Sequence, residues 1–226
     1  MKLVFALGGS IVIPDKPDAV YIKKFAAFAR ELAEEGHRLV IVVGGGKTAR
    51  RRIAKAAEMG ASQSEQDEEG IKATRENAKL MAQAIGGQAN QKIPEDIDSC
   101  KRIFDSGKIT LMGGTEPGHS TDAVAIMMGE KIGSDIIFKT TDVGGIYDKD
   151  PQKHSDAKRF DKLTVGKLLD MVSGLPQAPG TYELVDLLGV NILKKAKLKM
   201  IALDGRDIEN MRNAIDGKPF VGTVVE

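Results

Sequence analysis

Gly113-Gly-Thr-Glu-Pro-Gly-His-Ser-Thr-Asp-Ala-Val-Ala125 is the stretch around which the chain can be ordered. A short apolar run, Ile109-Thr-Leu-Met112, precedes it, and Val124-Ala-Ile-Met-Met128 continues beyond it. The pattern predicts a strand, a loop rich in backbone donors, and a helix whose start carries Ser120, Thr121 and Asp122. A helix N-terminus has unsatisfied N–H groups and a partial positive charge, so it favours an anion. Gly113, Gly114 and Gly118 allow close approach of backbone to a ligand, and Thr115, Ser120 and Thr121 add hydroxyl donors. An ordinary capped strand–helix turn has the same parts. Recurrence of the theme at Gly8 and Gly44 favours the functional reading.

Working outward, Lys2-Leu-Val-Phe-Ala-Leu7 reads as a buried strand ended by Gly8-Gly9-Ser10. Arg38-Leu-Val-Ile-Val-Val43 reads as a buried parallel strand, followed at once by Gly44-Gly45-Gly46. Between them Asp18 opens a helix with apolar Tyr21, Phe25, Phe28, Ala29 and Leu32, closed by Gly36. Lys47 to Met59 forms a basic helix with Arg50, Arg51 and Arg52. Ser62 to Glu69 reads as a polar loop before a helix from about Gly70 to Ile85. A strand is expected over Asp135-Ile-Ile-Phe138, then a polar surface excursion from Asp150-Pro151 to Lys162. Thr164 is placed to cap a short helix to Val172, and Pro176 and Pro179 mark a loop. A helix near Tyr182 to Lys195, a strand Leu198–Leu203, a helix Asp207–Ile215 and a strand Phe220–Val224 complete the chain. Strands alternating with helices imply an α/β fold, a mostly parallel sheet covered on both faces. Ligands then sit beyond the carboxyl ends of the strands, where all the glycine clusters fall.

Composition narrows the function classes. With 226 residues the chain can bury a sizeable core, and 33 basic against 32 acidic residues leave a net charge of +1. No single-sign run points to nucleic acid or to a membrane surface. A lone Cys100 excludes an internal disulfide framework, fits a reducing cytosol, and reads as a small buried hydrophobe. No apolar run reaches membrane-span length, and no signal-peptide layout is visible, so the expectation is a cytoplasmic protein without membrane or nucleic-acid partners.

Three glycine-bearing loops, each after an apolar strand, suggest a shared oxyanion-binding edge. Neither Gly-x-x-x-x-Gly-Lys-Ser/Thr nor a strand-borne Gly-x-Gly-x-x-Gly occurs, so the familiar nucleotide fingerprints are not in use. Arg50, one turn past the triple glycine, is placed to meet a phosphate with two parallel hydrogen bonds; Arg51 and Arg52 read as a solvated face. Asp67 reads on its own as a surface acid. His119, between Gly118 and Ser120, reads as a loop hydrogen-bonder rather than a general base. Lys139-Thr-Thr-Asp-Val-Gly-Gly-Ile-Tyr-Asp-Lys-Asp-Pro151 is either an ordinary glycine turn or a loop suited to a purine ring and ribose. No cluster has zinc-site spacing, and no protein metal site is expected.

Together these four segments resemble the amino acid kinase superfamily, and within it the UMP kinases of archaeal type. The resemblance runs from Met1 to Glu226. Its most specific parts are Gly113-Gly-Thr-Glu-Pro-Gly-His-Ser-Thr-Asp-Ala-Val124 and the Thr-x-Val-x-Gly-x-Tyr-x-x-Asp-Pro pattern ending at Pro151. Asp67 with Gly70, Thr74-Arg75-x-Asn77-Ala78 and the terminal Val221-Gly-Thr223 also fit. The resemblance implies one domain over residues 1–226, a three-layer α/β/α sandwich, with a phosphate-acceptor half (1–120) and an ATP-binding half (121–226). It also implies a homohexamer and the reaction ATP + UMP → ADP + UDP with Mg²⁺. Carried over, Gly9 and Ser10 face the transferred phosphoryl group, with Gly45 and Arg50 on the phosphate side of ATP. Gly44 contacts UMP and Asp67 holds its ribose hydroxyls. Thr115, Glu116, Pro117, Gly118, His119, Ser120 and Thr121 wrap the uridine and its phosphate. Thr141, Asp142, Tyr147 and Asp150 bind ATP.

The chain departs from the superfamily pattern at three positions. Many members have Lys two residues before the first Gly-Gly, where this chain has Ala6; Gly144 replaces a common Asp; and Asn191 stands where a C-terminal Lys is usual. Lys139 is the expected replacement cation and a catalytic residue, with Lys47 second. The rival readings are another small-molecule kinase of the superfamily, such as an isopentenyl phosphate or acetylglutamate kinase, and a non-catalytic nucleotide or oxyanion binder on the same fold.

Overall fold

The computed structural model describes residues 1–173 and 185–226. In chain order the elements are β1 (Lys2–Leu7), α1 (Gly9–Val12), α2 (Ala19–Glu34), β2 (Arg38–Val43), α3 (Gly46–Glu58), α4 (Gln63–Ile85) and α5 (Ile97–Asp105). There follow β3 (Thr110–Met112), α6 (Thr121–Ile132), β4 (Ile136–Thr141), β5 (Lys162–Leu163) and α7 (Val165–Ser173). The last are α8 (Leu187–Ala196), β6 (Met200–Asp204), α9 (Ile208–Ile215) and β7 (Thr223–Val225). Among the described residues the strands form one seven-stranded sheet in the order β3-β2-β1-β4-β6-β7-β5. Ladders from β3 through β6 are parallel, and β7 turns antiparallel to β6. The chain winds outward from β1 to β2 and β3, then returns to β4 on the other side. The gap between the ends of β1 and β4 is therefore the topological switch point, the place where such sheets bind ligands.

Alternation along the strands gives the sheet two buried faces. Leu3, Phe5, Leu7, Ile41 and Phe138 pack with α2, α4 and α9, whereas Val4, Ala6, Val42 and Ile137 pack with α5, α6, α7 and α8. This is a three-layer α/β/α arrangement with a core on each side of the sheet. Phe5 stacks on Phe138 across the β1–β4 ladder at 5.1 Å and meets Phe25 of α2 edge-on at 5.8 Å. Several aromatic rings are thus concentrated directly beneath the switch point.

Most expected elements are present, with instructive differences. The segment Ser62–Glu69, expected as a polar loop, is the first turns of α4: Ser62 and Glu65 form a reciprocal capping box, satisfying two orphan N–H groups. Asp67 is consequently helical. The strand expected over Asp135–Phe138 runs on to Thr141, which puts Lys139 inside the sheet rather than at its end. Helix α5, capped by Asp96, was not anticipated. The last strand begins at Thr223 rather than Phe220. The helix expected near Tyr182 starts at Leu187, capped by Asp186; Pro176, Pro179 and Tyr182 lie outside the described residues.

Candidate active site

Two cavities open at the carboxyl edge of the sheet. The larger, about 560 Å³, lies over the switch point and is lined by Gly8–Ser10, Gly44–Gly46, Arg50, Thr121, Asp122, Lys139–Val143, Gly145, Asp150, Gln152 and Lys153, among others. The smaller, about 390 Å³, is lined by Ile53, Asp67, Gly70, Ile71, Thr74, Gly114, Glu116, Gly118, His119 and Ser120. Gly45, Ala49 and Thr121 border both, so the cavities adjoin.

The glycines of the first two loops are required first by each other. A Cβ on Gly9 would lie 2.3 Å from Gly46 N and 2.4 Å from Gly44 O, and Gly46 itself adopts φ +57°. No side chain fits between these loops. Gly8 N–H donates to Thr140 Oγ1 at 3.1 Å, which joins the loop after β1 to the end of β4. Arg50, reaching back from α3, places Nη2 3.4 Å from Ser10 Oγ. The structure thus brings together Gly9, Ser10, Gly45 and Arg50 as expected. Lys47 points elsewhere, to Asp15 at 2.9 Å, and Arg51 shares that carboxylate at 3.7 Å. The Lys47 hydrogen bond, followed by its charge, holds the Asp15 carboxyl below its ordinary range.

One face of α4 holds the second and third loops. Asn77, 3% exposed, donates from Nδ2 to Gly44 O at 2.8 Å and to Gly45 O at 3.3 Å. Thr74 Oγ1 accepts from Gly114 N–H at 2.7 Å, and Arg75 donates to Gly114 O at 3.1 Å and Thr115 O at 3.0 Å. A Cβ on Gly113 would lie 2.6 Å from Thr74 Oγ1, so that glycine lets the loop close on α4 rather than on a ligand. Asp67, two turns before Thr74, accepts from Gly118 N–H at 3.1 Å and from Gln63 Nε2 at 2.9 Å. It is a wall of the smaller cavity and not an isolated surface acid. His119 Nδ1 is 3.2 Å from Glu116 Oε1, and Ser120 caps α6 while its hydroxyl donates to Asp186. Thr115 is anchored through its carbonyl by Arg75, and Pro117 is exposed; neither lines either cavity.

Lys139 is register partner to Ala6 of β1 and to Ala202 of β6. Side chains in register on parallel strands share a face, so Lys139 rises on the α6 side. Its ammonium closes an ion pair with Asp122 in the first turn of α6, with the lysine side chain only 12% exposed. The floor of the larger cavity is therefore a cation between two small side chains, countered by one carboxylate.

The loop after β4 supplies the far wall. Thr141 Oγ1 accepts from Val143 N–H at 2.9 Å, and Asp142 accepts from Gln152 Nε2 at 3.1 Å. Asp150 accepts from Gln152 N–H at 2.9 Å and pairs with Lys153 at 3.4 Å. Tyr147 is placed behind this turn, its hydroxyl 3.3 Å from where a Cβ on Gly144 would sit, and is not a lining residue of the larger cavity. Asp122, Thr74, Asn77, Gln152 and Lys153 were not singled out as site residues from sequence. The first three are polar residues of helices, with nothing in their local pattern to show which way they face.

Chemically, the arrangement offers glycine-loop N–H groups, a helix N-terminus, a lysine and an arginine around two adjoining spaces. That is suited to holding two anions close together. Comparison with known proteins agrees in kind. Residues 1–201 match the model of the amino acid kinase family. The chain is 43% identical over 227 residues to the uridylate kinase of Methanocaldococcus jannaschii, covering 100% of both chains. It is 40% identical to the uridylate kinase of Methanobrevibacter smithii, covering 100% of this chain and 99% of that one. Among solved structures, the uridylate kinase from Archaeoglobus fulgidus is similar at a TM-score of 0.89 and 37% identity, covering 100% of each chain.

Proposed function

We propose that this chain, which belongs to the amino acid kinase family and within it to the uridylate kinases, transfers the γ-phosphoryl group of ATP to UMP, giving ADP and UDP. The observation that carries the reading is the pair of adjoining cavities with Gly45, Ala49 and Thr121 in common. An acceptor phosphate at one side of that boundary and a donor phosphate at the other would be held in line. Phosphoryl transfer asks a protein for little else than positioning and charge stabilisation.

In this reading UMP occupies the smaller cavity, bordered mostly by residues 1–120. Asp67 accepts from the ribose hydroxyls, and Glu116, Gly118, His119 and Ser120 enclose the uridine. ATP occupies the larger cavity, against Thr141, Asp142 and Asp150 from the second half of the chain and Gly9, Ser10, Gly45 and Arg50 from the first. Lys139 screens the charge that accumulates between the nucleotides. The placement of Tyr147 behind its turn supports a role in shaping that turn, not in touching the base. Mg²⁺ typically keeps waters and binds phosphates with one or two carboxylates, and Asp122 is a carboxylate of the larger cavity that would be available to hold it. The homohexamer and the cytoplasmic location implied by the resemblance belong to the same proposal. Among the described residues, no helix is long and apolar enough to cross a membrane.

The test is product identity. ATP labelled at the γ-phosphate, incubated with UMP and the protein, is expected to yield UDP labelled at the β-phosphate. Labelled inorganic phosphate with no labelled UDP would overturn the reading.

A further inference from the structure

The N–H groups of Gly45 and Gly46 in the second glycine loop are held in place from behind, and the geometry points to one residue that does so. We infer that Asn77 is a positioning residue for the phosphoryl group; this rests on the function proposed above. Asn77 is buried, and its Nδ2 donates to both Gly44 O and Gly45 O, at 2.8 and 3.3 Å. Both carbonyls are thereby turned toward α4. No peptide bond among the described residues is cis, and in a trans peptide the N–H points opposite to the C=O. The N–H groups of Gly45 and Gly46 accordingly turn away from α4, and neither finds an acceptor among the described residues. Gly45 lines both cavities and Gly46 the larger, so these N–H groups sit at the boundary where the acceptor and donor phosphates would meet.

The chemistry selects asparagine. A neutral donor is needed to face two carbonyl oxygens, and a carboxylate of the same shape would repel both. An apolar residue would leave Gly44 O without a hydrogen bond and Gly45 O with only the Ala49 N–H at 3.2 Å, and the two peptides freer to rotate. Oriented donors stabilise an anion far better than donors that must reorganise first. Asn77 therefore acts on phosphoryl oxygens through the Gly44–Gly46 peptides. The ligand class is a phosphate monoester in line with a nucleoside triphosphate.

The experiment compares UMP with uridine, which lacks the phosphate, by calorimetry on the full chain. Two variants are used, Asn77→Leu and Asn77→Ser, each checked for folding by circular dichroism. The expected result is that uridine affinity stays within about twofold while UMP affinity falls by roughly tenfold or more, the scale of a lost charge-assisted hydrogen bond. The UMP-to-uridine ratio thus collapses, and kcat falls with it. Equal weakening of both ligands, an unchanged ratio, or loss of folding in both variants makes Asn77 a packing residue and overturns the inference. A wild-type protein that binds uridine as tightly as UMP would instead count against the proposed function itself.

Discussion

Lys139 and Ala6 are register partners on the adjacent parallel strands β4 and β1. Neighbouring strands lie roughly 4.8 Å apart, so a lysine on one can serve the space above the other. In the superfamily pattern a lysine often occupies the position of Ala6. Here the cation rises one strand over, held by Asp122 against the switch point. Lys139→Met is expected to lower kcat by roughly two orders of magnitude or more, the usual scale for one electrostatic donor. KM for both substrates should shift far less, because the contact matters most in the transition state. Steady-state kinetics decide it; a kcat near wild type would return attention to Arg50.

Asp67 tests the acceptor side. Its carboxylate is held by Gly118 N–H and Gln63 Nε2 at the wall of the smaller cavity before substrate arrives. A carboxylate matched to a hydroxyl pair discriminates strongly, since loss of either partner leaves the other unpaired. Asp67→Ala should raise KM for UMP and narrow the preference for UMP over dUMP. An unchanged preference would remove Asp67 from ribose recognition.

Gly9 and Gly45 separate packing from chemistry. A Cβ on Gly9 meets backbone of the second loop, Gly46 N at 2.3 Å and Gly44 O at 2.4 Å, so Gly9→Ala should lower the melting temperature and abolish turnover together. A Cβ on Gly45 meets a side chain instead, Ala49 Cβ at 2.3 Å. A valine there would collide with α3 before it reached a ligand. Gly45→Ala combined with Ala49→Gly should melt higher than Gly45→Ala alone. If the loop must approach phosphate closely, the double variant still turns over slowly. Recovery of both stability and rate would take Gly45 out of the site.

The glycine loops and the strands before them were legible because each loop interrupts an apolar run, a local signal that survives without tertiary knowledge. Asp67 was misread as a loop acid because Ser62 and Glu65, a capping box, look like any polar stretch until the helix behind them is counted. Asn77 and Thr74 were invisible as clamps, since their partners lie 33 and 40 residues away in the chain. The pairing of Lys139 with Ala6 depends on which strands are neighbours and in what register. No periodicity within either strand encodes that.

Burial of Cys100 and Tyr21 makes the fold sensitive to alkali. Burial, and secondarily the charge of Asp96, pushes the Cys100 thiol up to about 12 from its usual 9.0. Burial likewise raises Tyr21, whose hydroxyl donates to Gly205 O at 2.8 Å. Both groups stay protonated when folded but release protons when unfolded, so the unfolded state binds fewer protons and stability falls as pH rises. For the thiol the decline begins near pH 9 and continues toward about 12. Urea midpoints should drop between about pH 8.5 and 10.5, less so in Cys100→Ala. A flat profile would mean that the thiol ionises freely in the folded state.

The most direct test of the account is an acceptor panel. ADP release is measured with UMP, CMP, dUMP, AMP, isopentenyl phosphate and acetylglutamate at saturating Mg-ATP. The account predicts turnover that depends on UMP, with kcat/KM for UMP at least about tenfold above every other acceptor, as expected of a site built to hydrogen-bond its substrate. ADP release that ignores UMP, or a higher kcat/KM for any other acceptor, would contradict it.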